Sequence, residues 1–176
     1  IEPFCGSAQY SFLYWDRDVI LADKNPAVVA IWHWLQKSTP AKVRSLPTFK
    51  PKQRIVHLDP VARDLIALSM NPGTTPPGRN FAGSWENLEK SWLSKREKIA
   101  KNLHKIKHWK VLCADYTTLR NKTATWFIDP PYQGKPKNYH KFRLPDEDYV
   151  KFSEWCSSRR GQVIVCDLFV WERVVV

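Results

Sequence analysis

The chain of 176 residues contains no apolar run approaching the roughly 20 residues that a membrane-spanning helix needs, so a helical membrane protein is excluded as a reading of the sequence. None of its four cysteines, Cys5, Cys113, Cys156 and Cys166, forms a Cys-x-x-Cys pair, and zinc or thioredoxin-like chemistry therefore lacks its spacing. No metal site is expected. The three-glycine dinucleotide fingerprint and the phosphate-cradling P-loop are missing, which favours a cofactor without a pyrophosphate. There is no internal repeat and no low-complexity segment. The opening residues Ile1-Glu2-Pro3-Phe4 have no basic region before them, so no signal peptide is expected and the Asn121-Lys122-Thr123 sequon reads as accidental. Cys113 and Cys166 lie in apolar runs and are expected to be buried as small hydrophobes. A reducing, cytoplasmic compartment follows.

Acidic residues are scarce too: 17 face 28 lysines and arginines, giving a net charge of +11 and a pI near 9.6. The positive residues cluster in 42–54, 90–110, 135–143 and at Arg159-Arg160. Any one cluster reads most simply as a solvated face, but several around one pocket imply a polyanionic partner. A content of 43% hydrophobic and 26% charged residues describes a globular protein, and the length fits one domain able to bury a core unaided. Nine tryptophans are many for this length, and some could line a groove where bases stack.

Short apolar runs alternate with helical patterns. Strands are expected at 19–22, 111–114, 126–128 and 163–166, and helices at 25–37, 59–70, 85–108 and 146–159. In the first helix the apolar face is Val28, Val29, Ile31, Trp32 and Leu35; in the second, Asp59 is the N-cap, Pro60 the first residue, and Val61, Leu65, Ile66 and Leu68 the apolar face. Residues 38–52, rich in Pro and Lys, read as an exposed loop, and 71–84 carry too many breakers for a regular element. Residues 133–145 read as a basic, aromatic loop. Strands alternating with helices, each strand continuously apolar, argue for an α/β fold built on a mostly parallel sheet with helices on both faces.

Ligands in such sheets bind beyond the carboxyl ends of the strands. Acids fall at those ends: Asp23, Asp115, Asp129 and Asp167. A single such Asp is usually a turn former or a cap; four in one alternating pattern point to a shared crevice. Glu2 to Ser7 reads as a further strand end, with Gly6 allowing close backbone approach. Asp23 is placed to bind ribose hydroxyls, and Asp115 with Tyr116 to bind and flank an adenine ring. Asp129-Pro130-Pro131-Tyr132 follows an apolar strand and combines a carboxylate, two rigid prolines and an aromatic ring. Such a group can accept hydrogen bonds from an amine and stack a flat ring.

Glu2-Pro3-Phe4-Cys5-Gly6-Ser7-Ala8, Ala22-Asp23-Lys24-Asn25, Cys113-Ala114-Asp115-Tyr116 and Asp129-Pro130-Pro131-Tyr132 occur in the order seen in the Dam-like adenine-specific DNA methyltransferases, which this chain resembles from residue 2 to about residue 167. The resemblance implies a Rossmann-like methyltransferase fold, S-adenosylmethionine as methyl donor, and the N6 amine of a flipped adenine in double-stranded DNA as acceptor. It implies that Glu2, Phe4, Gly6, Ser7, Asp23, Asp115 and Tyr116 bind the cofactor. Asp129 and the Pro130 carbonyl would accept from the target amine, and Tyr132 would stack on the base. Tyr139, His140, Lys141 and Phe142 would form the other wall of that pocket or meet the DNA. Residues 38–110 would hold a small inserted target-recognition region, with Arg79 and Asn80 contacting base edges or phosphates. A monomer in the cytoplasm of a bacterial or phage-infected cell is expected.

Two departures stand out. The family's Lys-Trp-x-Gly-Gly-Lys-like segment does not precede Glu2. Cys166-Asp167 runs straight into Leu168 without room for the next helix, and residues are expected to be missing there. Rival readings are methylation of cytosine N4, of an RNA adenine or of a protein amine, and a nucleic-acid-binding module without catalysis. Asp rather than Asn before Pro-Pro-Tyr leans toward adenine, and three strand-end acids are not what pure binding of a polyanion needs.

Overall fold

The computed structural model describes residues 1–70, 87–131 and 148–166. The chain divides into two compact units, one formed by Ile1–Val29 with His108–Val176 and the other by Ala30–Lys107.

The first unit is mixed α/β. After the short helix α1 (Gln9–Leu13) it contains β1 (Ile20–Asp23), which pairs in parallel with β2 (Lys110–Cys113). Further along, β3 (Ala124–Ile128) pairs in parallel with β4 (Gly161–Val165). The opening dipeptide joins the two pairs. Glu2 N–H donates to the Ile20 carbonyl at 2.9 Å and the Glu2 carbonyl accepts from Ala22 N–H at 2.8 Å. On its other side Ile1 N donates to the Thr125 carbonyl at 2.8 Å, and Phe127 N–H returns a bond to the Ile1 carbonyl at 2.9 Å. The hydrogen-bonded order is thus β2, β1, residues 1–2, β3, β4.

Alternation along β3 explains how that strand is covered. Trp126 and Ile128 point to one face and are wholly buried with Phe152 and Cys156 of helix α6 (Tyr149–Ser157). Phe127 points to the other face, where Tyr10 of α1 stacks on it with ring centroids 4.4 Å apart and planes 5° from parallel. Gly161 opens β4 opposite Ala124, at φ +101°, and a Cβ there would stand 2.3 Å from the Ala124 carbonyl oxygen. Only glycine lets the two strands close at this point.

The second unit is helical in its described residues. Helix α2 (Pro26–Lys37) enters it, followed by α3 (Pro40–Arg44), α4 (Pro60–Met70), α5 (Leu88–Asn102) and a 3₁₀ turn at Leu103–Ile106. Helix α5 packs against α3 and α4. Trp92 of α5 is fully buried and its indole N–H donates to the Pro47 carbonyl at 2.8 Å. Basic side chains close the helix ends. Lys95 Nζ donates to the Ser69 carbonyl at 2.8 Å, Arg96 to that of Leu46, and Lys107 to those of Gln36 and Ser38. Helices leave their last carbonyls unsatisfied, and cations there meet both the hydrogen-bond need and the negative end of the dipole.

Several expectations are corrected. Residues 38–52 are not a continuous loop: Thr39 Oγ1 accepts from Lys42 N–H at 3.1 Å and Pro40 takes the first helical position, so this N-cap starts α3 inside the Pro/Lys-rich stretch. On α4 Ala62, Ala67 and Met70 are buried beside Leu65 and Ile66, while Val61 and Leu68 are only half-buried. Asp59 does cap that helix, its Oδ1 accepting from Val61 and Ala62 N–H at 3.0 Å each. The helix expected over 85–108 ends at Asn102, where the chain tightens into the 3₁₀ turn. Cys113, the last residue of β2, is exposed, and Cys166, just past β4, is half-buried; the cysteines that are buried are Cys5 and Cys156. All four are free thiols. Among the described residues no helix is long and apolar enough to cross a membrane.

Charge separates the units sharply. Residues 30–107 hold 15 of the 28 lysines and arginines and five of the 17 acids, a net of +10 out of +11.

Candidate active site

Because all described strand pairings are parallel, the strand ends that carry the distinctive residues share one edge of the sheet. The segments running out of residues 1–2 and β1 are tied directly. Cys5 N–H donates to the Ala22 carbonyl at 3.0 Å and Gly6 N–H to Asp23 Oδ2 at 3.2 Å. Asp23 Oδ1 accepts from Asn25 N–H at 2.8 Å. These two amides fix the Asp23 carboxylate beside the turn. Gly6 has φ +42°, is exposed, and a Cβ on it would meet nothing within 4 Å. Conformation, not crowding, is what requires glycine there. Ser7 is exposed beside it.

Asp115 follows β2. Its Oδ2 pairs with Lys24 Nζ at 2.9 Å, and its Oδ1 accepts from Thr117 N–H at 3.0 Å and Thr117 Oγ1 at 2.7 Å. Burial pushes its pKa upward, but the Lys24 ammonium and the two Thr117 donors outweigh that and hold it below the ordinary carboxylate value. Ala114 N–H donates to the Asp23 carbonyl at 3.1 Å, which keeps Asp23 and Asp115 on adjacent strand ends.

Asp129 follows β3 and is exposed; Pro130 after it is buried and Pro131 half-buried. Just before this turn, Cys166 N–H donates to the Ile128 carbonyl at 2.8 Å. The Asp129 charge is felt by Glu2 and by Cys166, raising the pKa of each after the larger effect of burial. The strand-end acid thus lies in electrostatic reach of the central dipeptide.

Two residues expected to touch a cofactor are engaged within the protein. Glu2 is buried, and its Oε1 accepts from Ser11 N–H of α1 at 2.5 Å. Burial raises its pKa despite that bond. Here it ties α1 to the central strand. Tyr116 is buried in an aromatic cluster, 5.4 Å from Phe4, 5.4 Å from Phe152 and 4.9 Å from Trp155 by ring centroids. Phe4 is half-buried and also meets Phe152 edge-on at 5.9 Å. Phe4 and Tyr116 therefore form one wall between the central strand end and the β2 end.

Lys24 and Tyr149 belong to this edge and were not expected in it. Lys24 is next to Asp23 in sequence, and a cation beside a strand-end acid was the available signal. Tyr149 donates from its hydroxyl to the Pro131 carbonyl at 2.8 Å, across 18 residues, and no local pattern announces that. Tyr132, Tyr139, His140, Lys141, Phe142, Arg79, Asn80 and Asp167 lie outside the described residues, as does the point where residues were expected to be missing. Cys5 is buried, and burial followed by the nearby Asp23 and Glu2 charges holds its thiol protonated, so it is no nucleophile. Among the described residues no cluster of His, Cys, Asp and Glu could hold a metal ion.

No protein-family model matches the chain, and no curated protein matches it either.

Proposed function

We propose that this chain is a site-specific DNA methyltransferase with a Rossmann-like fold, which transfers a methyl group from S-adenosylmethionine to the exocyclic N6 amine of an adenine flipped out of the duplex. The observation that carries this reading is the place of Asp129-Pro130-Pro131. It leaves the carboxyl end of β3 beside residues 1–2, which are bonded to β1 on one side and β3 on the other. That is a topological switch point, where open parallel sheets bind their ligands. The acids at the ends of β1 and β2, Asp23 and Asp115, support the same reading.

The residues present suit S-adenosylmethionine in their chemistry. The exposed Gly6-Ser7 backbone suits its amino-acid part, the fixed Asp23 carboxylate suits ribose hydroxyls, and Asp115 suits an adenine amine. Phe4, half-buried and backed by the buried Tyr116, supplies an apolar wall. When bound, the cofactor supplies an electrophilic methyl on a sulfonium.

The protein's own contribution is made at the acceptor. An adenine amine is a poor nucleophile because its lone pair is delocalised into the ring. The Asp129 carboxylate and the Pro130 carbonyl accept its two N–H bonds and draw the nitrogen toward tetrahedral geometry, which localises that pair. Two successive prolines limit how far these acceptors can swing. Much of the rate then comes from positioning. The base must leave the stack to reach this turn, at a cost of a few kcal/mol. The excess of +10 in residues 30–107 supports that unit as the one that meets the phosphate backbone. We assign the protein to the bacterial or phage-infected cytoplasm, acting as a monomer.

The test is transfer of labelled methyl from S-adenosylmethionine to unmethylated duplex DNA, followed by digestion of the product. N6-methyladenine is the expected label. Asp129→Ala is expected to lower transfer by a factor of 10³ or more, on the order of 4 kcal/mol in the barrier, while calorimetry shows cofactor binding unchanged. N4-methylcytosine or labelled RNA would move the acceptor. DNA binding without any transfer would leave a binding module in place of an enzyme.

A further inference from the structure

We infer that Tyr149 is a positioning residue for the acceptor turn, acting through the Pro131 carbonyl. This rests on the methyl-transfer reading above. After Asp129, Pro130 and Pro131 have no N–H to offer, so these two residues can be held by hydrogen bonds only through their carbonyls. Prolines fix φ but leave ψ open, and the ψ of Pro131 decides how the chain leaves the turn. The Tyr149 hydroxyl, 2.8 Å from the Pro131 oxygen, fixes it.

The donor is itself rigidly held. Tyr149 opens α6 and its ring meets that of Phe152, one turn on, edge to face at 6.2 Å. Phe152 and Cys156 are buried with Trp126 and Ile128 of β3, the strand that leads into the turn. A closed circuit results: β3 packs on α6, α6 presents Tyr149, and Tyr149 returns to the turn at the end of β3. The acceptor pair at Asp129 and Pro130 is locked to the sheet from both its ends. A displacement of about 1 Å at a reacting centre can cost a hundredfold in rate, so loss of one hydroxyl here is expected in turnover and not in binding.

Tyr149→Phe keeps the ring against Phe152 and removes only the hydroxyl. In the full chain it is expected to lower kcat for DNA methylation tenfold or more, with the KM for S-adenosylmethionine changed less than twofold and the circular dichroism of the folded protein unchanged. A residue that served stability alone would lower the melting temperature and leave kcat at saturation as in the unaltered protein; that result overturns the proposal. The ¹³C resonance of the Pro131 carbonyl, read in protein labelled at proline carbonyls, should shift in Tyr149→Phe. An unmoved resonance overturns it as well. Absence of transfer by the unaltered protein sinks the methyltransferase reading and with it the positioning role, even where the carbonyl shift shows the bond to be real. Transfer that is lost in Asp129→Ala but intact in Tyr149→Phe sinks only the role of Tyr149.

Discussion

The two units carry opposite kinds of information. Residues 1–29 with 108–176 hold 13 basic and 12 acidic residues, nearly balanced, and set acids at the ends of parallel strands. Residues 30–107 hold almost the whole net charge and no described strand. In the first unit a charge has a defined address: Asp23 is fixed by two amides, Asp115 by Lys24 and Thr117. In the second, part of the positive charge is structural, since Lys95, Arg96 and Lys107 close helix ends, and another part, such as Lys90, Lys98 and Lys101 on α5, is exposed. Under the methyl-transfer proposal, chemistry that needs a single geometry and attraction that needs only density of charge fall on different stretches of the chain.

The comparison is broken most severely at Gly161. Alanine there places a Cβ 2.3 Å from a backbone oxygen, at a φ of +101° that L side chains rarely adopt. Backbone cannot yield as a flexible side chain can, and the expected loss is about 3 kcal/mol or more. Chemical denaturation measures it, and hydrogen exchange should show weaker protection across β3 and β4. A stability within about 0.5 kcal/mol of the unaltered protein would mean that β3 and β4 do not close in this register.

How much of this was legible in the sequence differs by kind of feature. Strands β1 to β4 and helices α2 and α4 follow from apolar runs and periodicity, because each is shaped mainly by its own burial. The start of α3 was written locally, in Thr39-Pro40, but the surrounding prolines and lysines masked it. Cys113 misled because an apolar run does not tell where the packed part of a strand ends. Within the site, the strand-end positions of Asp23, Asp115 and Asp129 were readable from alternation alone. The partners were not: Ser11 on Glu2, Lys24 on Asp115, and Phe152 and Trp155 on Tyr116 are set by tertiary contacts across up to 91 residues, as in the Lys24 to Asp115 pair. Glu2 and Tyr116 show the consequence, since motif position suggested a cofactor contact for both and packing engages them with the protein itself.

A milder test sharpens the electrostatic side. Replacing exposed Lys90, Lys98 and Lys101 by glutamine is expected to weaken duplex binding about tenfold near 0.1 M salt and to flatten the slope of log K against log salt by about 1 for each phosphate left without its cation. Replacing Arg17, Arg120 and Lys122, equally exposed but in the balanced unit, should leave that slope unchanged. Both triple variants remove the same charge from the surface, so equal effects would mean that total charge, and not its segregation, governs the partner. Melting temperatures of both should stay near that of the unaltered protein, because exposed surface substitutions cost little and the Lys101–Glu97 pair that one of them breaks is solvent-screened.

The smallest effect concerns the Lys24–Asp115 pair, where the balanced unit uses charge locally. Burial works against the Asp115 anion, but Lys24 and Thr117 hold its pKa below the ordinary carboxylate value. A carboxyl with a depressed folded pKa contributes stability that is fully present above its unfolded value and is lost as pH falls through the folded one. The contribution is therefore constant at neutral pH and begins to fall below about pH 4. Because the Lys24 side chain is 61% exposed, solvent screens the pair, and Lys24→Met should cost only about 0.5 kcal/mol at pH 7 in low salt. The difference from the unaltered protein should shrink in about 0.5 M salt and fall steadily as the pH is lowered below about 4. A difference that neither salt nor acid reduces would come from the packing of the Lys24 stem and not from its charge. The same substitution leaves the Thr117 bonds to Asp115 in place, so any gain in affinity for S-adenosylmethionine would mean that Lys24 competes with the cofactor for that carboxylate.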